Sequence, residues 1–367
     1  MTDYQRYLYY PTLRTRQSEI EAVSNLSEET KGKILPIVSL SRLRKLDGTQ
    51  CVDKWLEAFS GQTIVDIEKS HAIALDNYKD ITSPENNHKN WISFVKTLRA
   101  SNNGFIPCAQ LTEGATRRQY AQQVMALENM CGKTAIRINP LQKKGILAAT
   151  TAASILDDID NGIFIFDIGQ INAARQKISM DACIRGINQL RDIEPSIEIV
   201  VTGSSFPRSF PEYGRTCGEI PMLEWNSYQA MGGEDVALYG DYASIHGEFY
   251  PGSYARFVAR VDYPTLGSWI YERRAGDDER GDLYQEAALA ITQNEEWDHD
   301  LNAWGAKIIS RVANGNTDKM KSPAKWIALR VNLHIERMVE FIESGATSDI
   351  PLEDEYWDDE EDVEGWE

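Results

Sequence analysis

The feature that most constrains this chain is a series of short β-branched and apolar runs, separated by segments long enough for a helix. Such alternation is the signature of βα units and a parallel sheet. The runs are residues 7 to 10, ILPIVSL from Ile34, QTIVDIE from Gln62, GFIPCAQ from Gly104 and TAIRI from Thr134, followed by GIFIFDI from Gly162, IEIVVTG from Ile197, MLEW from Met222 and VALYG from Val236. Nine runs are one more than an eight-stranded barrel uses, so either the Met222 run or the first is expected at the rim. Stretches such as IFIF and IVV show no polar alternation, as in strands covered on both faces. Between the runs, Tyr120, Val124, Leu127 and Cys131 fall on one helical face, suited to packing outside the strands. The pattern predicts an α/β protein built on a (β/α)8 TIM-like barrel, irregular in its last units. An open doubly wound sheet is the rival, but neither GxGxxG nor GxxxxGK[ST] occurs.

The regular alternation stops near residue 205, where SSFPRSFPEYGRTCGEIP, with three prolines, reads as a long loop. Beyond it, ARFVARVDY and SWIYERR flank a turn at Pro264 to Gly267 and predict a hairpin. A last helix from Pro323 to about Ser344 sets Ile327, Val331, Ile335, Met338 and Ile342 on one face. The expected organisation is a barrel over 1–245, a hairpin and helical extension packed on it over 246–348, and a disordered acidic tail over 349–367. Residues 76–90 form a polar insertion after the third run.

Composition narrows the function. With 42% hydrophobic residues the chain can bury a core, and no run approaches the roughly 20 apolar residues of a membrane span. Without a secretory signal, the expected address is cytoplasmic. Five scattered cysteines without CxxC pairs argue against disulfides or a thiolate zinc site. The five histidines lack HExxH or HxH spacing, so a zinc hydrolase is disfavoured. ThrGlySerSerPhe is not the GxSxG of a serine nucleophile. Of the net charge of −18, the tail carries 11 acids and no base, leaving about −7 for the body. No clustered basic face offers itself to nucleic acid, whose binding stays an open question, whereas a small basic pocket remains compatible with the charge.

In a barrel of this type, function collects at the C-terminal ends of the strands. The candidates there for general acid and base work are Asp66, Glu68, Asp167, Glu224 and Asp241, and for ligand binding Arg42, Lys69 and Arg137. Several carboxylates beside basic groups could hold a phosphate or a divalent cation such as magnesium. Asp66 and Glu68 are two apart in a strand and share a face. The competing reading is that these charges only pair with one another at the barrel mouth. His334, beside Ile335 on the last helix, reads first as a packing or hydrogen-bonding residue. In the tail, Tyr356, Trp357, Val363 and Trp366 interleave with acids, a composition suited to docking in a partner's basic, apolar groove.

Several stretches, spread in order over nearly the whole chain, resemble the "beta protein" family of phages, prophages and bacterial mobile elements. They are YYPTLRTRQSEIEAVSNL followed by ILPIVSL, the loop SSFP, Glu224 with Trp225, Gly240-Asp241-Tyr242, the hairpin ARVDYPTLGSWIYERR, and AsnLeuHis at 332 to 334. The resemblance implies a setting of phage and host conflict, antiviral defence included, and brings no established activity with it. It adds Tyr242, Trp269, Arg273 and His334 to the ligand-facing or hairpin-supporting set, beside Glu224 and Asp241. In one departure, Ser39 stands where relatives often carry an acid. Two functions follow as expectations. One is a hydrolase or sensor acting on a phosphate-bearing ligand or nucleic acid end. The other is a non-catalytic module that uses its tail or barrel mouth to occupy a protein partner from phage or host.

Overall fold

The computed structural model describes residues 4–70, 72–101, 104–210, 212–249 and 257–346. The tail expected to be disordered, with Tyr356, Trp357, Val363 and Trp366, lies outside the described residues. Strands follow in chain order as β1 (Tyr10–Arg14), β2 (Ile37–Leu40), β3 (Thr63–Ile67), β4 (Phe105–Pro107), β5 (Thr134–Ile138), β6 (Gly162–Gln170), β7 (Ile199–Ser204), β8 (Cys217–Pro221), β9 (Leu238–Asp241), β10 (Ala259–Thr265) and β11 (Ser268–Arg274).

Eight of them form one parallel sheet in the order β4-β3-β2-β1-β9-β7-β6-β5, with helices between successive strands. The sheet curls into a (β/α)8 barrel whose β4–β5 seam is joined by the bridge of Cys108 with Ala135. The Ala109 amide donates to the Ala135 carbonyl (2.8 Å) and Thr134 Oγ1 to the Pro107 carbonyl (3.2 Å) across the same seam. The runs are nearly all apolar because each strand is buried twice, by the barrel interior and by the helical ring. Tyr10, Ile37, Ile64, Ile106, Ala135, Ile163, Ile165 and Val200 fill the interior, plugged from below by Tyr4, Tyr7 and Leu35.

The surplus run is the one at Met222: it caps a helix, Leu223–Ala230, whose first amide donates to Ser205 Oγ. Leu, Glu, Gln and Ala are good helix formers, and in a short run their propensity prevailed over apolar content. The first run starts a strand only at Tyr10, and that strand pairs with β2 and β9 inside the barrel. The supposed loop after residue 204 also needs correction. Its end, CGEIP, is β8 and pairs antiparallel with β11, so the hairpin β10–β11 is a three-stranded sheet. Five residues that include a Gly and end in a Pro carry little strand signal, and pairing with an already formed hairpin edge determines their conformation.

Helix ends follow local chemistry. Asp47 and Thr116 make capping boxes with Gln50 and Gln119, and Gly132 ends its helix in the left-handed conformation at φ 71°. Tyr120, Val124 and Leu127 are buried against the barrel as their spacing requires, while Cys131 is half-buried. The last helix, Pro323–Glu343, is buried on two sides. Val331, Ile335 and Met338 join the main core, whereas Trp326, Leu329 and Leu333 enter a second core with Val261, Tyr263 and helices Arg280–Thr292 and Trp304–Ala313. Each such aliphatic side chain contributes about 1.5–3 kcal/mol on burial, so this helix fastens the hairpin sheet to the barrel. Among the described residues no helix is long and apolar enough to cross a membrane.

Candidate functional site

Strand alternation decides what the barrel mouth contains. In β1, β3 and β6 the residues two and four beyond an interior apolar position point the same way, so Thr12 and Arg14, Asp66 and Glu68, and Asp167 stand above the apolar plug. With Ser39, Lys69, Arg137, Asn139, Gln142 and Tyr242 they line a cavity of about 380 Å³. Six residues nominated from the sequence therefore meet here: Asp66, Glu68, Lys69, Arg137, Asp167 and Tyr242.

Arg137 is the hub. Its Nε and Nη2 donate to Asp167 Oδ2 (2.9 and 2.7 Å), Nη2 also to the Tyr242 hydroxyl (3.2 Å), and Nη1 to Ser39 Oγ (2.9 Å) and Asp66 Oδ2 (3.1 Å). A guanidinium has five N–H groups, and all are committed within the barrel. Asp66 also accepts from Gln110 Nε2 and the Ile67 amide, both at 2.8 Å. Burial pushes its carboxyl up, but Lys69, Arg137 and these hydrogen bonds outweigh that, leaving a stronger acid than an ordinary Asp. The Tyr242 hydroxyl donates to Asp167, and burial followed by the Asp167 charge pushes its ionisation well above the ordinary range. Asp167 opens an irregularity of the β6–β7 pairing that ends at Gln170, with Gly169 at φ +66° placing its amide on Asp167 Oδ1 (2.9 Å). A side chain at Gly169 would be strained in that conformation.

The second cation differs. Arg14 donates from Nε to Glu68 Oε2 (2.7 Å) and from Nη2 to the Gly247 carbonyl (2.7 Å), while Nη1 has no hydrogen-bond partner among the described residues. Gly247 in turn donates to Gln170 Oε1 (2.7 Å), and a Cβ there would lie 2.9 Å from the Gln170 nitrogen, so the segment crosses the mouth in backbone contact. Lys69 is exposed at the opening and makes no hydrogen bond or ion pair among the described residues. No group of three or more His, Cys, Asp or Glu fit to hold a metal occurs among the described residues. Between Asp66 and Asp167, the positive charge is Arg137 itself.

The expected convergence of Asp66, Asp167, Glu224 and Asp241 in one hollow needs correction. Asp241 has the opposite parity to Tyr242, so it points out of the barrel into a closed polar cluster beneath the last helix. Its Oδ1 accepts from the Tyr9 hydroxyl and the Ala243 amide (2.7 Å), and its Oδ2 from the Tyr239 hydroxyl (2.9 Å) and His334 Nε2 (2.7 Å). His334 Nδ1 accepts from Trp269 Nε1 (3.2 Å), which also reaches Ser244 Oγ (2.9 Å). Burial pushes the Asp241 carboxyl up, but His334, Tyr9 and Ala243 prevail and its net shift is downward. Glu224 accepts from the Ser205 amide (2.9 Å), and burial with the Asp241 charge pushes it up to about 8. Arg42 lies outside the cavity, with Asp76 and the Ala72 carbonyl, and Arg273 sits on the hairpin sheet over Phe210.

Glu224 makes stability depend on pH. Its proton is retained in the folded state up to about 8 but lost from an ordinary glutamate above about 4.5, so its contribution is fully present below 4.5 and vanishes as pH rises toward 8. Glu224→Gln is expected to remove this slope. Melting curves of both proteins from pH 5 to 8.5 should therefore diverge by the equivalent of a few kcal/mol, and parallel curves would refute the buried proton.

Sequence reasoning missed Arg14 because the first strand was placed at residues 7–10, short of it. The alternation Tyr10, Thr12, Arg14 was the available signal.

Comparison with known proteins adds two findings. A family model described as Beta protein matches residues 9–340. The chain is also similar to "Protein beta" of Enterobacteria phage P4, with 36% identity over 346 residues, covering 93% of this chain and 95% of that protein.

Proposed function

The chain belongs to the Beta protein family, and from that premise we propose that its barrel mouth takes a phosphate-bearing ligand, as a sensor or a hydrolase of the phage and host setting. The observation that carries this reading is the unequal commitment of the cations. Arg137 has no N–H left for a ligand, whereas Lys69 and Arg14 Nη1 are without acceptors among the described residues at the same cavity. Charged donors that find no protein partner favour an oxyanion.

Recognition is the better supported half of the proposal. Asp66 and Asp167 are neutralised by Arg137, and Tyr242 holds its proton against Asp167, so among the described residues no carboxyl of the cavity is poised as a general acid. One observation favours hydrolysis. Among the described residues Glu68 accepts only from Arg14 Nε and the Ser70 amide (2.9 Å), which leaves lone pairs free to orient a water.

Lys69→Met is expected to weaken binding of inorganic phosphate about tenfold or more, the loss of one charge-assisted hydrogen bond. Lys69 is exposed and makes no ion pair among the described residues, so the melting temperature should fall only slightly, by the loss of its charge near Asp66. Titration calorimetry beside a melting curve decides, and equal affinity in both proteins would overturn the reading. Glu68→Gln then separates its halves: a hydrolase loses phosphate release from phosphomonoesters while still binding phosphate, and a sensor releases none in either form.

A further inference from the structure

Resting on the reading that the cavity takes a phosphate-bearing ligand, we infer that this ligand is a small phosphorylated sugar or polyol, not a nucleotide or nucleic acid end. The juxtaposition that carries the inference is, among the described residues, an excess of unpaired donors over unpaired acceptors in a cavity without a stacking wall.

Among the donors, Arg14 has a side chain only 8% exposed and still lines the cavity, and its Nη1 has no partner among the described residues. Lys69 adds three N–H groups. Asn139 accepts the Leu141 amide on Oδ1 (2.9 Å), which leaves its Nδ2 uncommitted among the described residues. Gln142 precedes helix Lys143–Ala153 without capping it, so the first amides of that helix have no side-chain acceptor at the cavity rim. Among the described side chains the acceptors are fewer: the free lone pairs of Glu68, one on Asp66 Oδ2, and Gln142 Oε1, whose own Nε2 adds as many donors. A ligand matching this pattern is rich in acceptors, with a few hydroxyl donors for the carboxylates, which describes a phosphate ester of a polyhydroxylated carbon chain.

A nucleobase finds no complement here. Tyr242 is the one aromatic residue lining the cavity among the described residues; its ring lies 5.9 Å from the Arg14 guanidinium carbon and its hydroxyl is engaged by Asp167 and Arg137. Stacking contributes about 1–3 kcal/mol per base in proteins that read single strands, and the described residues offer no such platform. The volume of about 380 Å³ lies near the small end of the range for ligand pockets. With a net charge of −18, the chain as a whole repels an extended polyanion.

The test is calorimetric titration of the full chain with a panel of phosphorylated sugars from trioses to hexoses, their dephosphorylated counterparts, AMP, a 5′-phosphorylated dinucleotide and inorganic phosphate. At least one sugar phosphate should bind tenfold or more tightly than both its free sugar and AMP, and Lys69→Met should erase the advantage conferred by the phosphate. If AMP or the dinucleotide binds more tightly than every sugar phosphate, the ligand class is wrong while the phosphate pocket stands. If inorganic phosphate binds but no sugar phosphate exceeds it, the polyol half is overturned. If no phosphorylated compound binds, the pocket reading itself falls and the inference with it.

Discussion

Arg137→Met is expected to lower folding stability by about 3–5 kcal/mol, the cost of leaving buried charges uncompensated. The arginine satisfies Asp66, Asp167, Ser39 and Tyr242 at once, so its removal takes the shared counter-charge from two carboxylates at the barrel mouth. Methionine keeps most of the volume, which separates charge from packing. Adding Asp66→Asn and Asp167→Asn should recover part of the loss, because the three residues act as one network and their effects are not additive. Chemical denaturation midpoints of the single and triple variants decide. A loss below about 1 kcal/mol for the single variant would mean that water already screens these acids.

Asp241→Asn should be nearly as damaging, at about 3 kcal/mol, although it changes one atom. The four donors around Asp241 come from both sides. On one oxygen they include the Ala243 amide, and on the other His334 Nε2, which must carry its hydrogen because Nδ1 accepts from the Trp269 indole. Neither orientation of an Asn side chain avoids placing its NH2 against a fixed donor, and a buried unsatisfied pair costs about 1–3 kcal/mol for each group. The loss should appear in the denaturation midpoint, since the cluster joins β9 to the last helix. An unchanged midpoint would show that the acid is not what holds that helix.

These two residues also mark how far the sequence was legible. Both are acids or bases at strand ends in a βα pattern, and both invited the same functional reading. One residue of register separates Asp241 from Tyr242, so in a closed barrel one faces the helices and the other the cavity. The parity argument worked for Asp66 and Glu68 because QTIVDIE is a clean strand with an apolar residue between them. It does not carry over to the LYGD end of Leu238–Asp241, where a glycine and a tyrosine obscure which face is apolar. Arg14 was lost to a strand placed four residues too early, and β8 to a short, Gly-containing segment whose partner lies about fifty residues downstream. Non-local pairing leaves no periodic trace in such a segment.

The sequence by itself determined the eight parallel strands, the alternating helices, the hairpin with its turn at Pro264 to Gly267 and the amphipathic last helix, because each follows from local propensity and hydrophobic period. Tertiary structure alone decided which polar residues share a cavity. Closure of the sheet between Cys108 and Ala135 turns residues a hundred positions apart, such as Ser39 and Arg137, into hydrogen-bonded neighbours and sends Asp241 and His334 to the other side of the wall. The physical reason is that hydrogen-bonded register fixes the direction of every side chain at once, and register is set by long-range packing that no single segment encodes.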